Sequence, residues 1–403
     1  MTVSGSGIAT IILAQCPMYS AQFVEGPNCG VFGFKGALGQ GVSQLGTACG
    51  YYNDCDDQKH AFVWPAGGGL APISFPFGVT YASAIDVNQQ GTAIGDLDPS
   101  APPYYRRAFI SIGGQASLLP LLPGHVGSEG HGINSQGIVI GFSAVSNPQA
   151  VYWENEVPTA LQLSIGPTSV AEDINDQFQI CGWMGVNPVP SFGATPFLWA
   201  NGKTTSLPLP ANAVGHSGTA NALNNLSDAC GYFFTATTPA LIRRACAWIN
   251  GQFVDLGTLP GYQISLAMDI NDAREIIGYC ESLQGFFAPF IWRNGVMSNL
   301  NTLAAPGSPA LNIARAINNK GQIAGEGDVN LPVGHAVAFL LTPALPATPG
   351  DTNCDGHVNV NDLLAVIDSW NPQGPVGGNP ADLNRDNRIN VDDLLAVIMH
   401  WGN

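Results

Sequence analysis

The chain has 403 residues and a formal net charge of −16, and charged residues make up only 10% of it. A chain of this length exceeds one ordinary hydrophobic core, which predicts two domains or one repeat array. With only 13 lysines and arginines, the protein lacks the basic surface that DNA or RNA phosphates require, so nucleic acid is excluded as a partner. The 49 glycines and 30 prolines favour β-structure with tight turns over helices.

Residues 1–20 contain a candidate secretory signal. A small apolar run from Ile8 to Ala14 is followed by Gln15-Cys16, as at the end of a signal's apolar core with cleavage after Ala14, although no Lys or Arg precedes it. No stretch reaches the roughly 18 to 20 apolar residues of a membrane helix. We therefore expect a protein that does not span a membrane and that is secreted or displayed at the cell surface.

Residues 21–343 are built from a repeated motif. Its clearest copy is Ala-x-x-Ile-Asn-x-x-Gly followed by a second Gly, from Ala314 to Gly325. The terminal glycine recurs every 41 to 49 residues, a period far too long for a coiled coil. The seven terminal glycines are Gly50, Gly95, Gly141, Gly182, Gly231, Gly278 and Gly325.

Each repeat predicts four antiparallel strands. Asn with Gly three residues later fits a type I turn, so the motif forms a hairpin. An aromatic segment such as His60 to Trp64 is the third strand, and the segment after an Asn-Gly pair such as Asn201-Gly202 is the fourth. Four short strands every ~46 residues is the signature of a β-propeller blade. A small residue four positions before each Asn fits crowded strands near the axis: Gly39, Ala84, Gly130, Ala171, Ala220, Ala267 and Ala314.

The order of the motifs predicts how the fold closes. The first hairpin, ending at Gly50, precedes the first aromatic strand, while the last aromatic strand, Ala338 to Leu341, has no hairpin after it. We therefore predict a mainly β fold, a seven-bladed β-propeller with a composite closing blade that joins residues 25–50 and 335–343. Pairing the chain's ends removes exposed strand edges, which otherwise promote aggregation.

These repeats resemble the HAF-type extracellular repeat family. His60-Ala61-Phe62-Val63-Trp64 matches its His-Ala-Phe-x-Trp motif, and Ala316 to Gly325 matches Ala-Ile-Asn-x-x-Gly-Gln-x-x-Gly. The resemblance covers roughly residues 30–343. It implies export and brings no agreed catalytic residues. Three copies replace the turn glycine, with Phe178, Ser227 and Arg274, so we expect those hairpins to differ locally.

Nine cysteines fit an oxidising compartment. Cys49, Cys181 and Cys230 directly precede terminal glycines and are interpreted as buried small hydrophobic residues. Three disulfides remain open alternatives: Cys16 with Cys29, Cys49 with Cys55, and Cys230 with Cys246.

A Pro-rich linker, residues 344–350, separates the repeats from residues 351–403, which we call the C-terminal module. The module duplicates one unit with an offset of 31. Each unit places oxygen donors at positions 1, 3, 5, 7, 9 and 12 of an EF-hand-like loop, as Ca²⁺ requires. The sequence therefore predicts two Ca²⁺ ions. The predicted ligands are Asp351, Asn353, Asp355, the His357 carbonyl, Asn359 and Asp362, then Asp382, Asn384, Asp386, the Arg388 carbonyl, Asn390 and Asp393.

A helix is predicted after each loop. Its apolar residues should form the mutual core of the two halves, and they are Leu363, Val366, Ile367 and Trp370, then Leu394, Val397, Ile398 and Trp401. The module is small, so metal binding and folding should be coupled. Gly356 at loop position 6, and Asn387 in the second copy, are expected to supply a turn with positive φ.

The duplicated loop and helix resemble a type I dockerin, which implies calcium binding and docking to a cohesin on another extracellular protein. Loop positions 10 and 11 are Val360-Asn361 and Val391-Asp392, where cellulosomal dockerins often carry Ser-Thr. The resemblance therefore supports calcium binding more firmly than binding to a standard cohesin.

The sequence contains no zinc-protease helix, phosphate loop or nucleophile elbow. Two further sets of residues recur at one repeat position each, and we interpret both as structural. The aspartates, rather than binding a cation or sugar hydroxyls, are Asp86, Asp173 and Asp269. The tryptophans, rather than stacking on sugars, are Trp64, Trp153, Trp199, Trp248 and Trp292. Four histidines, interpreted as loop residues, are structural or solvent-facing: His125, His131, His216 and His335.

The leading hypothesis is a non-enzymatic binding propeller carrying a calcium-dependent docking module. The alternative is a carbohydrate-active enzyme, a glycoside hydrolase or polysaccharide lyase, that uses the axial face. In both hypotheses a carbohydrate is a candidate ligand of the propeller. A third hypothesis is a structural surface protein whose C-terminal module mediates assembly.

Overall fold

The structure is a computed structural model that describes residues 19–29, 35–100, 105–163, 165–186, 193–237, 240–329, 335–344, 348–353, 357–377 and 379–402. Residues 1–18, which hold most of the candidate signal, and the loop residues Asp355 and Gly356 lie outside it. Among the described residues no helix is long and apolar enough to cross a membrane.

The fold is mainly β, with two helices near the C-terminus. The first strands are β1 (Tyr19–Val24), β2 (Ala37–Val42), β3 (Ala48–Asn53), β4 (Lys59–Trp64), β5 (Ala71–Pro72), β6 (Val79–Val87), β7 (Ala93–Pro99), β8 (Arg107–Ile112), β9 (Gln115–Leu118), β10 (Gly127–Ile133), β11 (Val139–Ala144), β12 (Pro148–Glu154), β13 (Val157–Ala160) and β14 (Thr168–Ile174). They are followed by β15 (Gln179–Gly185), β16 (Thr195–Ala200), β17 (Lys203–Ser206), β18 (Ala213–Leu223), β19 (Ala229–Thr237), β20 (Ala240–Ile249), β21 (Gln252–Gly257), β22 (Ile264–Ile270), β23 (Ile276–Glu281), β24 (Phe287–Arg293), β25 (Val296–Asn299), β26 (Ala310–Ile317), β27 (Ile323–Val329) and β28 (His335–Pro343). A short 3₁₀ helix spans Leu300–Thr302, and the C-terminal helices are α1 (Val360–Asp368) and α2 (Val391–Met399).

The strands pair in antiparallel sets of four that follow the sequence repeats. Four sets are separate sheets in plain sequence order: β10 to β13, β14 to β17, β18 to β21 and β22 to β25. The sets β2 to β5 and β6 to β9 are joined into one larger sheet by a parallel pair, Lys59 with Tyr81. The first strand of each set contacts the first strand of the next, and β26 contacts β2.

The remaining sheet joins the two ends of the chain, in the order β1-β28-β27-β26. A sheet that joins the two ends of the chain was predicted and is present. The N-terminal segment predicted for it, residues 25–50, is wrong. The hairpin of β2 and β3 pairs with the following aromatic strand β4. The missing fourth strand is supplied by β1 instead. The physical reason is that a hairpin and the strand directly after it pair most readily with each other.

Each repeat hairpin turns as predicted from its Asn. In one copy, Asn134 Oδ1 accepts the N–H groups of Gln136 at 3.1 Å and Ile138 at 2.9 Å. The residue three positions after the turn Asn, or after Ser43 in the first copy, has positive φ, between 72° and 85° at Gly46, Gly91, Gly137 and Gly321.

The three copies without a turn glycine do not differ as expected, because Phe178, Ser227 and Arg274 adopt the same region with φ of 55° to 65°. Each side chain gains a contact that offsets the strained backbone. The Phe178 ring lies 5.5 Å from Trp199, Ser227 donates to Gln179, and Arg274 donates to the buried Asp228.

The terminal glycine of each repeat has a steric cause. A Cβ there would lie 1.9 to 2.1 Å from a carbonyl oxygen of the first strand, at Gly50, Gly95, Gly141, Gly182, Gly231, Gly278 and Gly325. All seven glycines face a β-bulge, where the register of the first strand shifts by one residue. Glycine is therefore required wherever the bulged strand approaches its neighbour.

Side chains from the hairpins join consecutive repeats. Asp86 accepts the N–H groups of Val87 and Ile133, one in its own repeat and one in the next, at 2.7 and 2.9 Å. Asp173 and Asp269 make the same pair of bonds. The turn asparagines also donate to the next turn, in the series Asn88, Asn134, Asn175, Asn224, Asn271 and Asn318. The last of these, Asn318, donates to the Ser43 carbonyl at 2.8 Å. These bonds support the structural interpretation of the aspartates.

The repeated aromatic residues fill the space between consecutive sheets. Trp153 is 1% exposed and packs with Ile94 and Ile110 of the preceding repeat. Trp64 and Phe62 of an early repeat pack against Ala316 and Leu340 of the last. Packing, rather than sugar stacking, is therefore the role of these tryptophans in the described structure.

One disulfide is present among the described cysteines, Cys29–Cys55. All three predicted pairings are therefore wrong, because Cys29 and Cys55 pair with each other and Cys49, Cys230 and Cys246 are free thiols. Cys230 lies opposite Ala247 on the neighbouring strand, which places Cys246 on the other face of the sheet. The predicted burial of Cys49, Cys181 and Cys230 is confirmed, with each 0% exposed.

Candidate metal centre and central cavity

The second loop of the C-terminal module runs from Asp382 to Asp393. Asp393 is 0% exposed, and its two carboxylate oxygens accept the N–H groups of Leu383 at 2.7 Å and Asn390 at 2.9 Å. It is also the third residue of α2, where it completes a capping box with Asn390. This carboxylate therefore fixes the loop to the start of the helix.

The first loop repeats this arrangement. Asp362 is 0% exposed and accepts the N–H groups of Thr352 and Asn359, each at 2.8 Å. Asn359 caps α1 in the same way. Asp351 is also buried, at 3% exposed. In both loops the carboxylate at position 12 thus holds the loop backbone at the start of the helix, and the predicted ligand set stays a prediction. Asp355 lies outside the described residues.

The second loop contains a buried acceptor without a partner. Asp382 Oδ2 accepts the Asn387 N–H at 3.0 Å, whereas Oδ1 is buried and accepts no hydrogen bond. Burial, with the nearby charge of Asp393, raises the pKa of Asp382 to about 6. The predicted positive φ is present at Asn387, at 67°. The donor set is all oxygen, which fits the hard cation Ca²⁺. No group of three His, Cys, Asp or Glu side chains in the described residues is arranged around a common metal position.

The helices expose part of the apolar face that was predicted to be buried. Val366 and Val397 are fully buried, and the core is completed by Val358, Val376, Ala381 and Ile389 from the loops. The prediction for Ile367, Trp370, Ile398 and Trp401 is wrong, because these side chains are 45 to 51% exposed. Loop residues occupy the core positions instead.

The exposed residues form one apolar stripe on each helix. The stripe on α1 consists of Val360, Leu364, Ile367 and Trp370, and the stripe on α2 of Val391, Leu395, Ile398 and Trp401. Every member of the second stripe lies 31 positions after its counterpart. Matched exposed apolar stripes of this kind indicate a surface for a protein partner.

The C-terminal module touches the repeats near the second loop. Gly377 lies so close to Glu275 that a Cβ would be 2.1 Å from its Oε2. Arg385 donates to the carbonyls of Ala344 and Asn379. Asp382, Arg385 and Lys320 line one shared cleft of about 170 Å³.

A second cavity, which we call the central cavity, lies among the first strands and has a volume of about 320 Å³. The residue skipped at each β-bulge faces this cavity. These seven bulge residues are Gln40, Ile85, His131, Glu172, Asn221, Met268 and Arg315. Asp86, Asp173 and Asp269 also line the cavity.

Opposite charges alternate along one side of the central cavity. The Arg106 guanidinium lies 3.3 Å from Asp96 Oδ2 and 3.4 Å from Glu129 Oε1. His131 lies 3.7 Å from Glu129 and 3.1 Å from Glu172. Although burial disfavours the charged imidazolium, Glu172 and Glu129 raise the pKa of His131 to about 10.

Asp96 is the most buried carboxylate of this side, at 5% exposed. Burial and the charge of Glu129 raise its pKa to about 6. A group with this pKa is suited to proton exchange near neutral pH.

The sequence did not identify the bulge residues. It placed His131 in a loop, whereas His131 lies on β10 in contact with two carboxylates, and His216 and His335 also lie on strands. The sequence does contain one indication of them. The residue that follows the small Gly or Ala of each repeat is of a different type in all seven copies, while the residues on either side of it recur.

Comparison with known proteins relates the C-terminal module to a described family. Residues 349–400 match the family model described as Dockerin type I domain. The match supports the resemblance found in the sequence, and it leaves the repeats outside it. No curated protein matches the chain.

Solved structures similar to the chain include β-propellers at low identity. The β-propeller domain of the Trilobed protease from Pyrococcus furiosus is 10% identical with a TM-score of 0.46, covering 70% of this chain and 93% of that one. Oligogalacturonate lyase from Vibrio parahaemolyticus is 7% identical with a TM-score of 0.48, covering 80% and 97%. Acylaminoacyl peptidase from Pyrococcus horikoshii is 10% identical with a TM-score of 0.46, covering 75% and 50%. At these scores the likenesses carry no argument about function.

Proposed function

We propose that the protein is secreted or displayed at the cell surface, and that its C-terminal module docks it to a cohesin-like domain in a calcium-dependent manner. The observation that carries this proposal is the pair of exposed apolar stripes within the segment that matches a type I dockerin. Dockerin domains bind cohesins, and type I dockerin domains bind calcium. The Cys29–Cys55 disulfide supports an oxidising compartment.

We further infer that residues 21–343, with β1, form a closed seven-bladed propeller. Three observations support closure: the contact of β26 with β2, the Asn318 bond to Ser43, and the packing of Trp64 against the last repeat. A crystal structure with a gap between the first and last repeats, or with another number of blades, would contradict this inference.

The docking proposal is tested by titrating the full chain with a type I cohesin domain in calcium and in chelator. We expect binding in calcium only, because the loops fix the helices that carry the stripes. Ile367→Asp with Ile398→Asp should abolish binding, since a charge then enters each apolar stripe. Asp368→Ala, which replaces an exposed residue of α1 outside the stripe, is the matched control. A folded, calcium-saturated chain that binds no cohesin domain contradicts the proposal.

Calcium binding has a separate test. When bound, the ion would supply positive charge to the buried loop carboxylates, and the twelve predicted positions would provide the ligands. Calorimetry of the full chain should show two calcium sites, and Asp351→Ala with Asp382→Ala should remove both. Two-site binding that persists in this double variant would show that the ligand assignment is wrong.

A second candidate function is a carbohydrate-active enzyme, a glycoside hydrolase or polysaccharide lyase. The observation that favours it is the convergence of Asp96, Glu129 and Glu172 on one cavity. Such enzymes use carboxylates whose environments separate their pKa values. The pKa of Asp96 is raised, while that of Glu129 is lowered by His131 and Arg106 despite burial. Turnover of a polysaccharide by the full chain that Asp96→Asn abolishes would establish this function, and a chain inactive on all polysaccharides tested would exclude it.

A further inference from the structure

The β-bulge of every repeat directs one side chain into the central cavity. A bulge removes its extra residue from the strand ladder and re-aims the side chain, and bulges are common beside functional sites. In this protein the same distortion occurs in all seven first strands, and all seven extra residues line one cavity. The fold therefore presents a ring of seven side chains from one backbone feature.

The chemistry of this ring is unlike that of the positions beside it. The preceding position is Gly or Ala in every repeat, and the following position is Asp, Gly or Ala. The bulge residues themselves are Gln, Ile, His, Glu, Asn, Met and Arg, seven different types. A purely structural role is met by the same residue in each copy, as the neighbouring positions show. Seven different groups facing one space indicate recognition of an asymmetric ligand.

Two buried polar atoms at the central cavity lack hydrogen-bond partners within the described protein. Asp96 Oδ2 is buried and accepts no hydrogen bond, although Arg106 Nε lies 3.3 Å away. Arg315 Nε is buried and donates to no acceptor, while its Nη2 donates to Glu326 at 2.9 Å. One unsatisfied group is an acceptor and the other is a donor. A ligand that completes both must donate and accept hydrogen bonds.

The charges of the cavity favour a ligand without net charge. Glu129 and Glu172 are opposed by His131, and Glu326 is opposed by Arg315. The carboxylates of Asp86, Asp173 and Asp269 are each occupied by two backbone N–H groups. Since these carboxylates already have partners, a cationic ligand would have to displace an existing pair at a cost in desolvation. An anionic ligand would meet the excess of carboxylates over cationic groups in the lining.

We propose that the central cavity binds a short neutral saccharide through the ring of bulge residues. Saccharide hydroxyl groups both donate and accept, which suits the unsatisfied Asp96 Oδ2 and Arg315 Nε and the Gln40 amide in the lining. Asn221 accepts from Thr219 and donates to the Ala267 carbonyl, which leaves its second amide hydrogen for a ligand. Ile85 and Met268 offer apolar surface to the C–H face of a sugar ring. The inference gives the propeller of the proposed function a ligand, and it is independent of docking by the C-terminal module.

The test is calorimetric titration of the full, calcium-saturated chain with cellobiose, xylobiose and digalacturonate. We expect at least one neutral disaccharide to bind and digalacturonate to bind more weakly, because its carboxylates meet an already paired acidic wall. Gln40→Ala and Asn221→Ala should each weaken binding about tenfold, the loss of roughly one buried hydrogen bond to the ligand. Gln252→Ala, an exposed amide on β21, is the matched control and should leave binding unchanged.

Three results would overturn the inference: neither neutral disaccharide binds, digalacturonate binds more tightly than both, or the Gln40 and Asn221 variants bind as the wild type does. Far-UV and near-UV circular dichroism spectra establish that the variants are folded. Calcium-dependent binding of the same variants to a cohesin domain is measured in parallel, since it reports docking alone and separates failure of the cavity from failure of the proposed function.

Discussion

Single buried ionisable residues link the stability of this protein to pH. Asp269 is half-buried at the wall of the central cavity, and desolvation there raises its pKa to about 7 despite two backbone N–H donors. The pKa of Asp86 is raised by burial, and that of Asp173 by burial and by the charges of Asp269 and Asp86. His131 is held protonated by Glu129 and Glu172. All four groups bind protons more tightly in the native state than in the unfolded chain.

We therefore predict that the free energy of unfolding falls as pH rises. The pKa of Asp269 rises from an ordinary 3.8 to about 7 in the native state. Its contribution to the free energy of unfolding is therefore complete below pH 3.8 and is lost as the pH rises through 7. The pKa of His131 rises from an ordinary 6.5 to about 10 in the native state. Its contribution to the free energy of unfolding is therefore lost as the pH rises through 10. Thermal unfolding in excess calcium, followed by the near-UV signal of the buried tryptophans, measures this dependence.

His131→Gln is the informative variant for this prediction. It removes the proton that Glu129 and Glu172 stabilise, so the fall in stability between about pH 7 and pH 10 should become shallower than in the wild type. Wild-type stability that increases from pH 5 to pH 9 would contradict the assignment of these four groups.

At the scale of the strand, the N-terminal β1 depends on one side chain. Tyr19 is fully buried beside Leu300, Leu311 and Phe339, and its hydroxyl lies 2.6 Å from Arg293 Nη2. Burial, opposed by the charge of Arg293, raises the pKa of Tyr19 to about 12. The tyrosine therefore fixes β1 against the last set of strands.

We predict that Tyr19→Ala destabilises the protein by roughly 3 to 5 kcal/mol, the range for loss of a large buried aromatic side chain. Gln22→Ala, at an exposed residue of the same strand, should cost no more than about 0.5 kcal/mol. Chemical denaturation measures both variants, and hydrogen exchange of the β28 amides reports whether β1 has separated. Equal effects of the two substitutions would show that β1 is not held by Tyr19.

The same scale shows what could be read from the sequence. The hairpins and aromatic strands were predictable because the turn motif, in exact or degenerate form, and the apolar segments encode local structure and recur in seven copies. β1 was missed because Tyr19 to Val24 carries no copy of either motif, so only its pairing with β28 identifies it. Ile367 and Trp370, with their counterparts Ile398 and Trp401, were assigned to the core because helical spacing shows which residues share a face. It does not show that Val358 and Ile389 fill the interior.

Limits of the same kind apply to the candidate site. Oxygen donors at alternate positions predict two calcium loops directly, since the spacing of the ligands in such a loop is a spacing in the sequence. The central cavity has no such local pattern. His131, Glu172 and Arg315 are 41 to 184 positions apart, and only the bulges bring them to one space.

At the scale of the whole molecule, the C-terminal module is positioned against the repeats through a contact that has no space for a side chain. We predict that Gly377→Ala separates the two, because the added Cβ would lie 2.1 Å from Glu275 Oε2. Cleavage of linker residues 344–350 by a protease should then become faster, and the radius of gyration in X-ray scattering should increase.

Gly402→Ala is the matched control for this prediction. Gly402 has a positive φ of 80°, as Gly377 has at 60°, but a Cβ there would meet no atom within 4 Å. Both variants therefore introduce similar backbone strain, and only one introduces the clash. If linker cleavage rises equally in both, strain within the module and not its contact with Glu275 is the cause.

The pairing of β1 with β28 also sets the order in which the molecule can be assembled. Ser20 bonds to Thr342, a partner 322 positions later in the chain. During synthesis the first strand emerges long before the edge that will receive it, so the final sheet forms only after nearly the entire repeat array has been made. Loop closure over such a distance is slow. The joining of the chain's beginning to its end is thus a late step in the folding of the repeats, and a nascent chain arrested before residue 335 would keep an open edge.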